Sequence, residues 1–358
     1  MEYRHLIQDP KIKAVWNPEM STEVYRFIDT ETTIFLKKKN IPLGETAVYT
    51  ILEVDLRPNK AVHEILRMCM GGDRMESVME TTTRTADLTT CKLHMNGVVS
   101  TPGARFADGD IKYFYLNTPL KKKRYGKVKA KYIPEETIEK HQLEQYIEDY
   151  GWLHFEIGKG MYGIPEAGRL ANDLLRARLK KYGYIKATHT PGYWKHLWKP
   201  ISWMLIVDDF GFKYTNTRHM DELLKITSQW YIMKMDWPGT SFGGITLKWN
   251  YDGERWVELS FPGYIQKILT RFRHPQLKRP HDSPHPDPPT KFTRTTPTPP
   301  SLDKSPRLDK KGIKRVQQIC GSILWYMWAC DITTTKALNA NGREQAKATE
   351  TTRTWANW

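Results

Sequence analysis

Residues 201–214, ISWMLIVDDFGFKY, restrict the possible folds more than any other stretch of the chain. A charge-free run enters two adjacent aspartates, Asp208 and Asp209, and an aromatic segment resumes at once. Two such runs broken by a short polar step read as a β-hairpin, which sets the aspartates in a tight turn between strands. Adjacent carboxylates repel, and withdrawing either from water costs energy unless something positive lies between them. Alone, an Asp-Asp pair reads as a solvated turn. At the end of a buried strand, a shared cation is the simplest resolution.

A third carboxylate suits the same cation. ARFADGDIKYFYL (104–116) reads as a strand that ends near Asp110 and turns into a short helix. Metal-dependent phosphoryl transfer needs carboxylates from separate strand ends, so that two Mg²⁺ can sit about 3.5–4 Å apart. Asp110 by itself, beside Asp108 and Gly109, is an ordinary turn residue. The three together are far harder to attribute to chance.

The surrounding chain alternates strands and helices. ILRMCM precedes a GGD turn (Gly71–Asp73), and TADLTTCKLHMNGVVS reads as a helix started at Thr85 or Asp87. LKKKRYGKVKAKY is basic and PEETIEKHQLEQYIEDY acidic and amphipathic. WLHFEIG (152–158) alternates as a strand, and RLANDLLRARLKKYGY carries Leu170, Leu174, Leu175 and Leu179 on one helical stripe before Gly183. YWKHLW pairs with ISWMLIV around Lys199-Pro200. MDELLKITSQWYI reads as a helix, and GGITLKWNYDGERWVELS as a hairpin turning at Asp252-Gly253. Residues 274–306 hold ten of the 22 prolines, so an extended or disordered linker is expected there. GIKRVQQICGSILWYMWACD is a last helix with an apolar face, and the polar tail after Asn339 is expected to fray.

Charge identifies the class of partner. A net charge of +15 over 358 residues favours a polyanion, nucleic acid above all. The N-terminal MEYRHLIQDPK has no apolar stretch of the signal-peptide kind, and no apolar run nears the roughly 20 residues that span a bilayer. An intracellular protein of cytoplasm or nucleus, without a membrane partner, is the expectation. Cys69, Cys91, Cys320 and Cys330 are too dispersed for a disulfide framework or zinc module, and read as reduced thiols. His274, His281 and His285 lack cysteine partners, so zinc is not expected there either.

Six segments in order, EYRHLIQDPKIKAVW, STPGARFADGDIKYFYLNTPL, GMYGIPEAGR, IVDDFGFKY, GGITLKWNYDGERWVELSFPGYIQKIL and GSILWYMWACD, resemble a copia-type LTR-retrotransposon reverse transcriptase. The resemblance covers nearly the whole chain outside the proline-rich stretch and extreme tail. It implies an α+β right-hand polymerase. Fingers would span 1–105 and a palm with an antiparallel sheet 106–255. The thumb would start over 256–273, a basic Pro-rich linker would fill 274–311, and a thumb or connection remnant with a polar tail would occupy 312–358. The implied reaction is RNA-directed DNA polymerisation: nucleotidyl transfer from a dNTP to the 3′-hydroxyl of a primer on an RNA or DNA template. Asp110, Asp208 and Asp209 would be the catalytic residues and ligands of two Mg²⁺, with Mn²⁺ able to substitute.

The same matching assigns the nucleotide pocket. Tyr115 would stack under the incoming sugar, where the bland alternative is a core aromatic. Ile111, Tyr162, Gly163, Ile164, Glu166 and Ala167 would line the pocket, and Arg67 would reach the triphosphate unless it is a plain surface arginine. Lys121, Lys122, Lys123, Arg124 and the run from Arg271 to Lys278 would contact nucleic acid or form solvated faces. Gly243 and Gly244 resemble the turn that grips the primer end. Lys234 could approach the leaving pyrophosphate, though a solvated charge is the simpler reading.

Three departures stand out. Glu166 replaces the family's usual Gln, and a carboxylate beside a triphosphate should repel it. FADGD replaces an apolar strand and should weaken it. WACDITTTKALNA resembles a worn entry to a ribonuclease H domain, with no such domain following. These suggest a fragment or decaying copy, and an alternative function: a catalytically inactive relic that only binds nucleic acid. A metal nuclease lacks a histidine or lysine pattern for activating water and ranks last.

Overall fold

The computed structural model describes residues 3–56, 64–77, 79–274 and 303–357, with 283, 285, 292–293 and 296–297. In chain order the elements are α1 (Tyr3–Leu6), α2 (Pro10–Asp29), β1 (Thr33–Leu36), β2 (Val48–Leu56), β3 (Glu64–Met70), α3 (Leu88–Val99), β4 (Arg105–Ile111) and β5 (Pro119–Lys129). There follow α4 (Glu135–Lys140), β6 (Trp152–Lys159), α5 (Ala167–Lys180), β7 (Tyr184–Lys186), β8 (Tyr193–His196), β9 (Ile201–Ile206), β10 (Asp209–Tyr214), α6 (Thr217–Thr227) and β11 (Met233–Asp236). The chain continues with β12 (Ser241–Phe242), β13 (Ile245–Asn250), β14 (Trp256–Ser260), α7 (Tyr264–Arg271), α8 (Lys310–Ala329), α9 (Thr335–Glu344) and α10 (Glu350–Ala356). Two compact units result, one of Met1–Asp87 and Gly109–Met235, the other of Leu88–Asp108 and Asp236–Trp358.

The first unit holds one sheet and, apart from Arg105–Asp108 of β4 and Asp236 of β11, a second. One has the order β1-β6-β5-β2-β3, antiparallel except where β2 runs parallel to β5, and β3 is an edge. Helix α2 covers it with Trp16, Met20, Val24 and Phe27, a stripe at helical spacing. The second sheet has the order β11-β4-β10-β9-β8-β7. Its central strand β9 is buried over its first five residues, as expected of an apolar run that packs on both faces. Trp194 stacks on Trp203, and Trp203 meets Phe210 and Phe212, so aromatic cross-strand packing fixes the register.

The second unit pairs β12, β13 and β14 in one antiparallel sheet. Gly243 and Gly244, both at positive φ, make its first two-residue turn. Helices α8, α9 and α10 close around Val316, Cys320, Leu338 and Ala348.

Several expectations need adjusting. The tail after Asn339 is helical: α9 runs on to Glu344, and Thr349 and Thr352 form a reciprocal capping box that starts α10. Polarity alone missed this, because here polar side chains, the Thr349 and Thr352 hydroxyls, accept from the backbone N–H groups that start the helix. Helix α6 starts three residues earlier than Met220, capped by Asn216. FADGD lies within one continuous strand, β4. A Cβ at Gly109 would meet Met235 Sδ at 2.9 Å and Phe212 at 3.0 Å, so glycine is what lets the strand pack closely beside Asp110. The four cysteines are free thiols, with Cys330 half-buried and the others buried. Most of the proline-rich stretch, His281 included, lies outside the described residues. Among the described residues, no helix is long and apolar enough to cross a membrane.

Candidate metal and nucleotide site

The hairpin β9–β10 pairs Ile206 with Asp209, which leaves Val207 and Asp208 as the two turn residues and makes Asp209 the first residue of β10. The aspartates therefore straddle the end of the turn and do not fill it. Val207 takes a φ of +61° at the first turn position, where a type II′ turn ordinarily carries glycine. A β-branched residue there is strained, of order 1–3 kcal/mol, and is held only because the flanking strands are locked.

Strand β4 lies beside β10, and the Ile111 N–H donates to the Asp208 carbonyl at 3.4 Å. Asp110, Asp208 and Asp209 each offer one oxygen within 4.8 Å of the others, and all three are half-buried. Burial is the main reason that each of their carboxyls is raised. Asp208 adds to the shift at Asp110, while Lys234 on the neighbouring β11 opposes it. At Asp208 its own backbone N–H and the Arg67 charge pull the other way. Asp209 is pushed up to about 6 by burial, then Asp208, then Asp110. The cluster is a negative site that the fold neutralises only in part.

An aromatic and cationic wall stands beside it. Tyr115 meets Tyr162 edge-on at 5.6 Å, and its phenol is pushed up to about 12 by burial, Asp208 and Tyr162. Arg67 lies over the Tyr162 ring at 5.3 Å. A cavity of 150 Å³ lined by Thr83, Arg84, Tyr115, Asn172 and Val207 adjoins this wall. Gly163, at φ +86°, lets the backbone after Tyr162 press on β3, since a Cβ would sit 2.1 Å from the Met70 carbonyl. The Met70 N–H donates to the Tyr162 carbonyl at 2.7 Å across that contact.

The structure places the other sequence-picked residues as follows. Ile111 is buried, and its side chain belongs to the core. Glu166, expected to face a triphosphate, is 5% exposed and accepts from Arg124 Nε at 2.9 Å and from its terminal nitrogen at 2.6 Å. Arg124 also donates to the Glu76 carbonyl at 3.0 Å. Of the basic run on β5, Lys122 pairs with Glu45, Lys123 with Glu156 and Arg124 with Glu166, so three of its four charges are engaged within the fold. The reason is alternation along β5 beside acidic neighbours, which the one-dimensional run conceals.

Sequence reasoning passed over Glu23, which is fully buried. Its signal was present: a carboxylate three residues after Met20 and one before Val24, on the apolar stripe of α2.

No family model matches the chain, and no curated protein matches it. Among solved structures it is similar to a foamy viral protease-reverse transcriptase in complex with double-stranded DNA, at 12% identity and a TM-score of 0.47, over 95% of this chain and 46% of that one. It is also similar to a Candida albicans telomerase in complex with a telomeric RNA fragment (8%, TM-score 0.39, 72% of this chain and 53% of that). A C-terminally truncated apo telomerase from Candida tropicalis follows (9%, TM-score 0.27, 69% and 60%). The chain spans about half the length of the first two.

Proposed function

We propose that this chain is a nucleic-acid polymerase of the reverse-transcriptase type, acting on a primer paired with an RNA or DNA template and on dNTPs. The observation that carries the reading is the convergence of Asp110, Asp208 and Asp209 within 4.8 Å beside Tyr115, Tyr162 and Arg67. Three half-buried carboxylates, each raised by burial, suit a hard divalent cation that takes oxygen ligands, Mg²⁺ or Mn²⁺. The chemistry supplied by such ions when bound is a lowered pKa for the attacking hydroxyl and neutralised charge on the transferred phosphate.

The chain's own residues do the rest. The Ile111–Asp208 hydrogen bond fixes the two strand ends that carry the carboxylates. Tyr115 offers a flat ring against a sugar, and its phenol stays protonated at neutral pH, adding no negative charge. Arg67 offers a permanent positive charge with fork-shaped donors suited to phosphate. Lys234 tempers the charge at Asp110.

The inactive-relic reading drew its support from Glu166 and FADGD. Arg124 compensates the first, and the second is accommodated by close packing at Gly109. Primer extension on an RNA template with Mg²⁺ tests the proposal. Extension that disappears in Asp208→Asn supports it. A folded parent that binds duplex but never extends, with any dNTP or with Mn²⁺, would return the case to the relic.

A further inference from the structure

Asp110 and Tyr115 stand five residues apart, and the segment that joins them is one tight turn. Resting on the polymerase reading, we propose that Asn117 is a positioning residue: its side-chain amide clamps that turn and so holds Tyr115 against the sugar of the incoming nucleotide.

Strand β4 ends at Ile111, and the chain then reverses through Lys112, Tyr113 and Phe114 into a single 3₁₀ turn, Tyr115–Asn117. The reversal needs a φ of +60° at Tyr113. Left-handed backbone is uncommon outside glycine and asparagine, and an aromatic residue keeps it only where its surroundings impose it. Two contacts impose it here. The Tyr113 ring packs against the core that α2 covers, with Arg26 over it at 5.1 Å and Lys112 Nζ at 4.7 Å. Asn117 Nδ2 donates to the Lys112 carbonyl at 3.1 Å and to the Tyr113 carbonyl at 2.9 Å. An amide nitrogen has two hydrogens, one for each carbonyl; a hydroxyl has one, and a carboxylate has none.

The clamp separates two parts of the segment. Before it, the Lys112 N–H donates to the Ile232 carbonyl at 2.9 Å, which continues the pairing of β4 with β11 and holds the Asp110 strand end without help from Asn117. After it, Tyr115 belongs to no strand. Its ring meets Tyr162 at 5.6 Å and Phe114 at 5.9 Å, and its carbonyl lies so near Gly160 that a Cβ there would come within 2.7 Å. The direction in which Tyr115 leaves the turn therefore depends on the backbone at 112–113, which Asn117 holds. A loosened clamp should weaken nucleotide binding more than it slows the chemical step.

Asn117→Ala removes both donors. It should raise the KM for dNTP about tenfold, in the range of two modest hydrogen bonds, while kcat falls by about threefold at most. The Kd of a fluorescent dNTP on the protein–primer–template complex with Mg²⁺ should rise as much as KM. Asn117→Asp keeps the shape but turns acceptors toward both carbonyls, and should bind dNTP at least as poorly. Glycine takes positive φ without a clamp, so adding Tyr113→Gly to Asn117→Ala should restore most of the lost affinity. Tyr113→Ala is the control: it removes the same ring without glycine's freedom and should restore nothing. Thermal unfolding checks that each variant is folded. If Asn117→Ala does not fold, Asn117→Ser, whose hydroxyl can bond back to the Tyr113 carbonyl four residues earlier, should show a smaller rise in KM. An unchanged KM, a loss confined to kcat, no rescue by Tyr113→Gly, or equal rescue by Tyr113→Ala overturns the proposal. A parent that neither binds dNTP nor extends primers sinks the polymerase reading, and the clamp's role with it. A parent that does both, matched by folded Asn117→Ala, sinks only the clamp.

Discussion

The first unit buries acidic groups in two contrasting ways. At the β9–β10 turn three carboxylates crowd within 4.8 Å, and among the described residues Arg67 and Lys234 temper them. At Glu166 and Glu23 a single carboxylate is more deeply buried, and each is met by an arginine: Arg124 for the first, Arg26 for the second. The paired groups have their counter-charge within the fold, although Glu166 Oε2 is buried without a hydrogen-bond partner. The turn is left with negative charge that a cation would relieve, so it stores electrostatic cost where a ligand can recover it.

Substitutions can break this contrast, and the largest effect belongs to the turn. Asp208→Asn should reduce primer extension by about 10³-fold or more while leaving the fold intact, as measured by extension rate and thermal unfolding. Next comes the paired carboxylate. Glu166→Gln leaves the half-buried Arg124 guanidinium without its counter-charge and should cost about 2–3 kcal/mol in denaturant unfolding. The residue comparison taken alone expects the reverse, a repair of the nucleotide pocket, so a stabilised and more active Gln variant would undo this account.

A smaller effect sharpens the comparison through pH. The Asp209 carboxyl titrates near 6 in the folded protein, against about 4 in an unfolded chain. The folded state therefore holds the extra proton between those values, and without divalent ions stability should fall as pH rises from about 4 to about 6, then level off. Mg²⁺ should raise the unfolding temperature at about pH 7.5 and much less at about pH 5, where protons compete for the same oxygens. Asp209→Asn should flatten the metal-free slope and diminish the Mg²⁺ response. The smallest effect concerns backbone strain: Val207→Gly should leave stability equal or raise it by up to about 1 kcal/mol, while extension falls severalfold as the turn loosens.

Much of this was legible in the chain because the signals are local. The charge-free run before Asp208, the alternation of WLHFEIG and the leucine stripe of α5 each reported their elements directly. The basic run 121–124 was legible only as charge. What it faces depends on β5 lying between β6 and β2, a pairing between segments distant in sequence. Glu166 misled for the same reason: its partner Arg124 is 42 residues away.

The sequence by itself determined that two strands flank an acidic turn, that a third aspartate ends another strand, and that the chain is basic enough to seek a polyanion. These follow from short-range hydrophobic pattern and from composition. Only the tertiary structure decided that the three carboxylates meet, that Glu166 is paired with Arg124 and that Glu23 is buried against Arg26 and the Met68 N–H. Coulomb energies and desolvation depend on distance in space and on burial, and neither is written in the spacing of residues along a chain.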